Sequence, residues 1–454
     1  MRLAILLAAS CLLLSCSATS LTTNRRTTVL RPCTLGQEAL SAQCGTFQVY
    51  EDSHAGQGKQ IPMHFAVLEA TGRRPAADPL FMIAGGPGQA ATTAFPPILA
   101  AFSRVNQERD IVLVDQRGTG KSHPLQCPKE AKPADCARSL AVDPALYTTP
   151  NAVEDLDHLR IALGYAKINL YGASYGSRVA LVYLRQYPKS TRTLILDGVV
   201  PTHWNLGETA PADAKASLDT ILARCTREPA CKRAFPNTQA EFQSLSQSLV
   251  QKRSVPISDP RTGATTQIDV SRESFTSTVR LLSYTTETAA LLPLIIHRTY
   301  QSKRFDLIAA QSQLAVGELG EGFSDGMYYS VVCAEDVPFS KSQNALAAIC
   351  RNWPSKAMKA DYKQPVTSNT PVLLLSGEVD PVTPPRNAEL AARTLPNSLQ
   401  VTALGQGHIV AVRGCVPLLM QQFLTSGSTK GLKIACLKQS QPTPFFIDFA
   451  GPVP

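Results

Sequence analysis

A serine flanked by glycines is the strongest candidate nucleophile in the sequence. Ser174 stands in Gly172-Ala173-Ser174-Tyr175-Gly176, between a predicted strand at 168–171 and a predicted helix at 177–187. A serine on a sharp strand-to-helix turn needs such neighbours, because the backbone there is strained and crowded. The helix N-terminus behind it favours negative charge developing on a substrate. The pattern predicts a nucleophile, with a purely structural turn as the alternative.

A serine hydroxyl is a poor nucleophile alone and needs a base that is itself oriented by a carboxylate. His408 follows the last predicted strand, and Asp380 follows the strand before it. The carboxyl ends of parallel strands are where an open α/β sheet places its functional groups. We therefore predict His408 as the base and Asp380 as its carboxylate. Glu378, two residues before Asp380, is the alternative third member.

Two backbone N–H groups are expected to stabilise the oxyanion that such a serine would create. One belongs to Tyr175, the residue after the nucleophile, and the other to a loop that follows an earlier strand. The segment Gly85-Gly86-Pro87-Gly88 is that loop, and it contributes Gly85 or Gly86. Its glycines let the backbone approach a substrate closely. The alternative interpretation of this segment is a tight turn without a function.

A second glycine-rich segment resembles a phosphate-binding loop but departs from the pattern. Residues 118–122 read Gly-Thr-Gly-Lys-Ser, whereas the full motif needs a glycine at position 115, where Asp115 stands. We predict a loop beside the sheet rather than a nucleotide site. Asp115 and Arg117 are predicted to be a structural charge pair.

Short apolar runs alternate with helical stretches in the segments that must position these residues. Continuous apolar strands separated by helices indicate a parallel sheet covered on both faces. Together with the serine turn and the order of the three candidate residues, this alternation of strands and helices predicts the α/β-hydrolase fold. The predicted strands are residues 62–68, 79–84, 110–115, 168–171, 193–197, 371–377 and 398–404.

The alternation of strands and helices stops after Pro201 and resumes near residue 371. The middle segment contains helical patterns such as 287–300, in which Pro293 is expected to produce a kink. We predict a largely helical cap inserted before the last strands. The predicted boundaries are 45–201 for the first part of the core, 202–365 for the cap and 366–454 for the second part of the core.

Charge and composition exclude several function classes. The net charge of +9 is spread over 454 residues without a basic cluster, so no nucleic-acid partner is expected. The sequence has no CxxC or HExxH spacing, so no metal is predicted. No organic cofactor is implied by a serine mechanism. The oligomeric state is left open.

The N-terminus is predicted to direct export. Arg2 precedes an apolar run over residues 3–14, which is too short to span a bilayer. The run ends in Ser15-Cys16, which resembles a bacterial lipobox, so residues 1–16 are predicted to be a lipoprotein signal and Cys16 to carry lipid. The alternative is an ordinary signal peptide cleaved after a small residue such as Ala18.

A polar, threonine-rich segment follows, and residues 17–44 are predicted to be a tether. By resemblance to lipoproteins of Gram-negative bacteria, Ser17 at the second mature position favours the periplasmic face of the outer membrane. The lipid would be the protein's sole membrane attachment. Cleavage as an ordinary signal peptide would instead release a secreted protein.

The cysteines also favour export. Twelve occur, and Cys11 and Cys16 lie in the predicted signal, which leaves ten. An even number in local pairs predicts disulfide bonds in an exported chain. We expect neighbours to pair: Cys33 with Cys44, Cys127 with Cys136, Cys225 with Cys231, Cys333 with Cys350, and Cys415 with Cys436.

Taken together, the motifs resemble the prolyl aminopeptidase and tripeptidyl aminopeptidase family of α/β-hydrolases. The resemblance covers residues 45–436 and includes a C-terminal region like that of tripeptidyl aminopeptidases. Many relatives have histidine where this sequence has Ala84, which weakens the prolyl aminopeptidase assignment more than the fold. The motifs that carry the resemblance are residues 85–88, 115–122 and 172–176 together with Asp380 and Gly407-His408.

The resemblance implies a serine aminopeptidase that releases one to three residues from the free N-terminus of a peptide. Such a site needs a carboxylate for the substrate's ammonium ion, and Glu335 with Asp336 matches a segment common in these relatives. A surface pair beside a disulfide is the alternative for these two residues. An esterase on the same triad, or a non-catalytic binding lipoprotein, is the alternative for the whole protein.

Overall fold

The computed structural model describes residues 29–452 except residues 38, 129–130, 260–261, 321 and 440. The predicted signal, with Cys16, lies outside the described residues. Within the described part of the chain, no helix is long and apolar enough to cross a membrane.

A nine-stranded sheet runs through the described residues, and a separate two-stranded hairpin lies apart from it. The strands in chain order are β1 Arg31–Leu35, β2 Leu40–Tyr50, β3 Gln60–Leu68, β4 Leu80–Ile83, β5 Ile111–Val114, β6 Ile168–Ala173, β7 Thr191–Asp197, β8 Arg253–Ser258, β9 Thr265–Val270, β10 Val372–Gly377 and β11 Ser398–Ala403. The order in the large sheet is β1-β2-β3-β5-β4-β6-β7-β10-β11. The hairpin consists of β8 and β9.

The central and final strands of the sheet are parallel. Strands β5, β4, β6, β7, β10 and β11 pair in parallel with their neighbours. Strands β1, β2 and β3 form an antiparallel edge that joins the parallel part at β5. The prediction of a mostly parallel sheet is therefore confirmed.

Helices cover the sheet and build the inserted cap. The α-helices are α1 Ala91–Ala94, α2 Ser103–Glu108, α3 Pro133–Ser139, α4 Thr149–Ala162, α5 Tyr175–Gln186, α6 Ala210–Arg227, α7 Pro229–Ala234, α8 Thr238–Ser248, α9 Arg272–Leu282, α10 Thr286–Ala289, α11 Leu292–Ser302, α12 Asp306–Gly320, α13 Asp325–Glu335, α14 Ala345–Cys350, α15 Pro385–Ala392 and α16 Val416–Ser426. Short 3₁₀ helices occur at Pro96–Phe102, Pro144–Leu146, Val337–Phe339, Ala360–Lys363 and Ile434–Gln439.

Alternate side chains of the central strands fill two apolar layers. Leu170 and Leu196 pack into the layer on one face of the sheet, whereas Tyr171 and Ile195 pack into the layer on the other. This alternation follows from the two-residue period of a strand. Burial on both faces explains why these strands are continuous apolar runs in the sequence.

The cap extends from α6 to α14, between β7 and β10, and it is largely helical as predicted. It has its own apolar core, in which Leu222, Phe275 and Ile296 are buried together. The hairpin of β8 and β9 was missed by the sequence analysis. Its strands are mostly exposed and rich in polar residues, so they lack the apolar signal of a core strand.

The prediction of one continuous helix over residues 287–300 is wrong. The chain forms α10 and then α11, with a break at residues 290–291. Pro293 lies in the first turn of α11 and does not kink a longer helix. Proline is favoured at that position because a first-turn N–H has no partner within the helix.

The predicted tether over residues 17–44 is wrong from residue 31 onward. Residues 31–35 and 40–44 lie in β1 and β2, which pair at the antiparallel edge of the sheet. The disulfide between Cys33 and Cys44 joins these two strands. Polar side chains are compatible with an edge strand because one or both of its faces meet water.

All five predicted disulfides form. Cys33 pairs with Cys44, Cys127 with Cys136, Cys225 with Cys231, Cys333 with Cys350, and Cys415 with Cys436. Each bond closes a short loop, with a sequence separation of between 6 and 21. The nearest-neighbour pairing is therefore confirmed.

Candidate active site

Ser174 occupies a strained turn between β6 and α5. Its φ of 53° and ψ of −124° are rare for a residue with a side chain. A Cβ on Gly172 would lie 2.4 Å from the carbonyl oxygen of Gly176, and one on Gly176 would lie 2.2 Å from that of Ile83. Both glycines are therefore required by packing. The turn exposes the serine at the carboxyl end of the sheet, as the motif predicts.

The half-buried His408 pairs with the buried Asp380. The Nδ1 atom of His408 lies 2.8 Å from Oδ2 of Asp380. Oδ2 also accepts a 2.7 Å bond from the Thr383 hydroxyl, and Oδ1 accepts bonds from the backbone N–H groups of Val382 and Thr383 at 2.8 and 2.9 Å. Burial opposes ionisation, but the charge of His408 and these donors hold the pKa of Asp380 below its ordinary value.

Glu378, the alternative carboxylate, is not hydrogen-bonded to His408 but binds the loop before it. Its side chain accepts a 2.7 Å hydrogen bond from the backbone N–H of Gly405. It thereby fixes the start of the loop that carries His408. The structure thus selects Asp380 over Glu378 as the partner of the histidine.

One short segment links the serine to the histidine. The carbonyl oxygen of Asp197 accepts a 2.8 Å hydrogen bond from the N–H of Ser174. The next residue, Gly198, lies so close to the imidazole that a Cβ there would be 2.9 Å from Cε1 of His408. The serine turn and the histidine loop therefore meet at the end of β7.

The predicted oxyanion loop lies beside the serine. A Cβ on Gly85 would be 2.9 Å from Cβ of Ser174. Gly86 adopts a φ of 104°, which glycine tolerates best, and the Gly86–Pro87 peptide bond is cis. Tyr175 begins α5, so its N–H belongs to the unpaired first turn of that helix. The structure brings together the three residues predicted to form the oxyanion hole.

The loop after His408 is anchored by a residue that the sequence analysis missed. The carboxylate of Asp197 accepts hydrogen bonds from the backbone N–H of Val410 at 2.9 and 3.1 Å and of Ala411 at 2.8 Å. Between them and the histidine, Ile409 has a φ of 66°, a strained value for a β-branched residue. Asp197 ends a predicted strand, as a functional carboxylate would, and that position was the available signal.

Asp197 is fully buried, and burial raises its pKa to about 6, although the bonds from Val410, Tyr171 and Ala411 oppose this shift. The Tyr171 hydroxyl donates a 3.0 Å hydrogen bond to the same carboxylate. The loop that carries the candidate base therefore rests on a group that titrates in a physiological range.

The cap also holds the histidine. The backbone N–H of His408 donates a 2.7 Å hydrogen bond to the carbonyl oxygen of Tyr284, in the turn after α9. The Tyr284 ring packs edge-on against the imidazole, with 5.4 Å between centroids. A Cβ on Gly407 would lie 2.3 Å from the same carbonyl oxygen. The cap thus contributes directly to the position of the candidate base.

Glu335 and Asp336 are not a surface pair, because both are buried at the end of α13. Glu335 accepts bonds from the N–H and hydroxyl of Thr149 at 2.6 and 2.8 Å, and from the Tyr362 hydroxyl. The Thr149 hydroxyl also lies 2.6 Å from that of Tyr175. Burial raises the pKa of Glu335, opposed mainly by the nearby charge of an arginine.

That arginine, Arg178, lies on α5 and binds Asp336 through Nη1 at 2.9 Å from each carboxylate oxygen. Lys363 Nζ lies 3.0 Å from Asp336 Oδ1, and the N–H of Leu206 donates to the same oxygen at 3.1 Å. The two predicted amine-binding residues are therefore already held by groups of the chain itself. They connect the cap to the helix that begins at the candidate nucleophile.

The predicted pair of Asp115 and Arg117 is wrong. Arg117 is fully buried and makes a two-point contact with Asp155, at 2.7 and 2.8 Å. Asp115 instead accepts bonds from the N–H and hydroxyl of Thr92 and from the N–H of Lys121. Asp155 lies 38 residues after Arg117, so local sequence spacing could not identify it.

The segment that resembles a phosphate-binding loop, residues 118–122, is a turn beside the sheet, as predicted. The Ser122 hydroxyl donates a 2.6 Å hydrogen bond to the carbonyl oxygen of Asp115. A Cβ on Gly120 would lie 2.4 Å from an Asp115 carboxylate oxygen. The loop is closed around its own carboxylate, and the described residues hold no cluster of three or more potential metal ligands.

The sequence matches known hydrolases. Residues 78–413 match the family described as the alpha/beta hydrolase fold. The tripeptidyl aminopeptidase of Streptomyces coelicolor is 25% identical over 461 residues, which cover 88% of this chain and 84% of that protein. The serine protease Hip1 of Mycobacterium bovis is 23% identical, with 86% of each chain covered.

A shorter match covers about a third of the chain. The proline iminopeptidase of Neisseria gonorrhoeae is 29% identical over 153 residues, which are 34% of this chain and 42% of that protein. These relatives are named as serine peptidases or aminopeptidases. The chain therefore belongs to the α/β-hydrolase fold family, as a serine peptidase-like hydrolase.

Proposed function

We propose that this hydrolase is an exported serine aminopeptidase that releases one to three residues from a free peptide N-terminus. The observation that carries the proposal is the 2.8 Å contact between His408 and Asp380, on loops that meet the Ser174 turn. Relatives named as tripeptidyl aminopeptidase and proline iminopeptidase support the substrate class.

In the proposed mechanism, His408 takes the proton of the Ser174 hydroxyl, which attacks the carbonyl carbon of the scissile bond. Asp380 holds Nδ1 of the imidazole and stabilises its charged form. The oxyanion rests on the N–H of Tyr175 and that of Gly86 or Gly85. The imidazolium then protonates the leaving amine, an acyl-enzyme remains on the serine, and water releases it.

An aminopeptidase also needs a carboxylate for the substrate's ammonium ion. The assignment of Glu335 and Asp336 to this role stays a prediction. Both residues are buried and already accept hydrogen bonds from internal donors, such as Thr149 and Tyr362 on Glu335. Asp325 is a second candidate, since its carboxylate has no hydrogen-bond or ion-pair partner within the described residues.

Asp325 also has a suitable location. It follows Ser324, whose N–H donates a 2.9 Å hydrogen bond to the carbonyl oxygen of Gly88 in the oxyanion loop. The residue is exposed, so a substrate could reach it without a rearrangement of the cap. An ammonium ion is electrostatically complementary to this carboxylate.

Turnover of a substrate panel tests the proposed activity. The panel contains aminoacyl and tripeptidyl chromogenic amides together with short-chain esters, and Ser174→Ala is the control. Cleavage of the amides, lost in the control, supports the aminopeptidase. Cleavage of esters alone would replace it with the esterase. Failure of a fluorophosphonate probe to label Ser174 in folded protein would favour a non-catalytic binding protein.

A second experiment assigns the amine-binding group. Glu335→Gln and Asp325→Asn are each compared on a free-amine amide and on an ester with a blocked N-terminus. The variant that lacks the true anchor shows a higher KM on the free-amine substrate alone. Equal loss on both substrates for Glu335→Gln would refute its role as the anchor, because it would show that Glu335 acts through the position of Tyr175.

Export and lipid attachment are part of the proposal. The five disulfides support it, since such bonds persist in oxidising compartments. Expression of the full chain in a Gram-negative host with radiolabelled palmitate should label the membrane-bound protein, and Cys16→Ser should abolish the label. Recovery of unlabelled, soluble protein in the periplasm would indicate an ordinary signal peptide instead.

A further inference from the structure

Arg280 lies in the last turn of α9 and is partly buried. Its Nε donates a 3.4 Å hydrogen bond to the carbonyl oxygen of Pro381, the residue after Asp380. Its terminal nitrogens have no hydrogen-bond acceptor or carboxylate partner among the residues that the structure describes. A partly buried guanidinium with most of its donors unused is suited to bind an anion.

Tyr284 follows Arg280 by four residues, and its ring packs against His408. Its hydroxyl has no hydrogen-bond partner in the described part of the chain. Burial raises the pKa of Tyr284, although the positive charge of Arg280 opposes the shift. The phenol therefore remains a neutral donor beside the candidate base.

Tyr328 lies on the side of the oxyanion loop. Its ring is 6.2 Å from that of Phe323, which itself lies against Gly86. Its hydroxyl likewise has no partner within the described ranges. Burial and the charge of Asp336 raise the pKa of Tyr328 to about 12, and the charge of Arg280 acts in the opposite direction. The charge of Arg280 therefore acts on both tyrosines.

Two carboxylates of this region already have partners within the chain. Asp380 is held by His408 and Thr383, and Asp336 by Arg178 at the end of α13. Burial raises the pKa of Tyr329, and the charge of Asp325 adds to this shift. Arg280 is therefore a cation beside the Asp380 loop without a carboxylate partner among the described residues, which favours a negative group on the substrate.

We propose that Arg280, Tyr284 and Tyr328 bind a carboxylate of the substrate. The arrangement would make the hydrolase prefer peptides with an acidic group near the scissile bond. This inference rests on the proposed function for the location of the site. The carboxylate comes either from an acidic side chain or from the C-terminus of a short peptide, and a guanidinium with two hydroxyls recognises both through the same chemistry.

Matched substrates test the proposal and separate the two sources. Chromogenic amides that differ only by glutamate against glutamine address the side chain. Short peptides with a free or amidated C-terminus address the terminal carboxylate. We expect a higher kcat/KM for the charged member of at least one pair. The ratio should fall by about tenfold or more in Arg280→Gln, mainly through KM, because a charge-assisted hydrogen bond is lost.

Three variants sharpen the assignment. Tyr284→Phe and Tyr328→Phe should each reduce the same ratio, and Arg280→Lys should restore part of it. Arg298→Gln removes an equal charge from an exposed position of the cap and should leave the ratio unchanged. An equal proportional loss on charged and neutral substrates in Arg280→Gln would overturn the proposal, because it would show that Arg280 only supports the Asp380 loop through Pro381.

A labelling assay keeps this test independent of peptidase activity. The rate of fluorophosphonate labelling of Ser174 is measured with N-acetylglutamate or its uncharged diamide as the competitor. We expect protection by the carboxylate alone, and its loss in Arg280→Gln. Equal effects of the two competitors would refute the carboxylate site even in an active peptidase. Selective protection without peptide turnover would support the site and refute the proposed function.

Discussion

Substitution of Asp197 by asparagine should change how the stability of the protein depends on pH. The carboxylate is fully buried, and its pKa rises from an ordinary value of 3.8 to about 6. A difference of about 2 in pKa corresponds to about 3 kcal/mol. Because the folded-state pKa is the higher one, folding favours the protonated form. This stabilisation is complete below about pH 4 and is lost as the pH rises through about 6.

The measurement is urea unfolding of the disulfide-bonded protein between pH 4 and pH 8. Titrating groups other than Asp197 are common to both proteins, so their contributions cancel in the difference between wild type and Asp197→Asn. We expect the free energy of unfolding of the wild type, relative to the variant, to fall by about 3 kcal/mol across this range. A difference that does not vary with pH would refute the reasoning.

The same variant should impair catalysis at constant pH. Asparagine turns one acceptor oxygen into a donor that faces the N–H groups of Val410 and Ala411, so the strained turn at Ile409 loses support. We expect kcat to fall by about tenfold, equivalent to one hydrogen bond, with little change in KM. Asp219→Asn, which alters an exposed carboxylate of the cap, is the control. A change in KM alone would contradict this interpretation of Asp197.

Three further substitutions probe other contacts. Asp155→Ala leaves Arg117 buried without its partner and should lower the free energy of unfolding by about 3–5 kcal/mol in urea; a loss below about 1 kcal/mol would contradict it. Thr383→Val removes the 2.7 Å bond to Asp380 and should lower kcat by about tenfold, measured with the best amide. Gly176→Ala places a Cβ 2.2 Å from a carbonyl oxygen at the end of β4, so soluble, fluorophosphonate-reactive protein should be absent.

The sequence alone predicted the elements whose signal is local. A strand buried on both faces must be a continuous apolar run, so β6, β7 and β10 could be placed within a few residues. The turn that holds Ser174 requires glycines at fixed positions, and this requirement appears as a motif. The disulfides followed because each joins neighbouring cysteines.

Exposed elements were harder to predict. Strands β1, β8 and β9 and the break between α10 and α11 carry polar or mixed residues, and their stability comes from pairing and packing. Intrinsic preferences are weak in such segments, and tertiary contacts override them. The same reason explains why the tether was predicted too long.

The sequence by itself determined the identity of the candidate triad, because each member must stand beside a strand end or a tight turn. Only the tertiary structure decided which groups hold that triad in place. Asp197 and Tyr284 contact the His408 loop across separations of more than 100 residues. The partner of Arg117 is Asp155 and not the predicted Asp115. Pairing of charged and polar groups in a core is set by folded proximity, which no local pattern records.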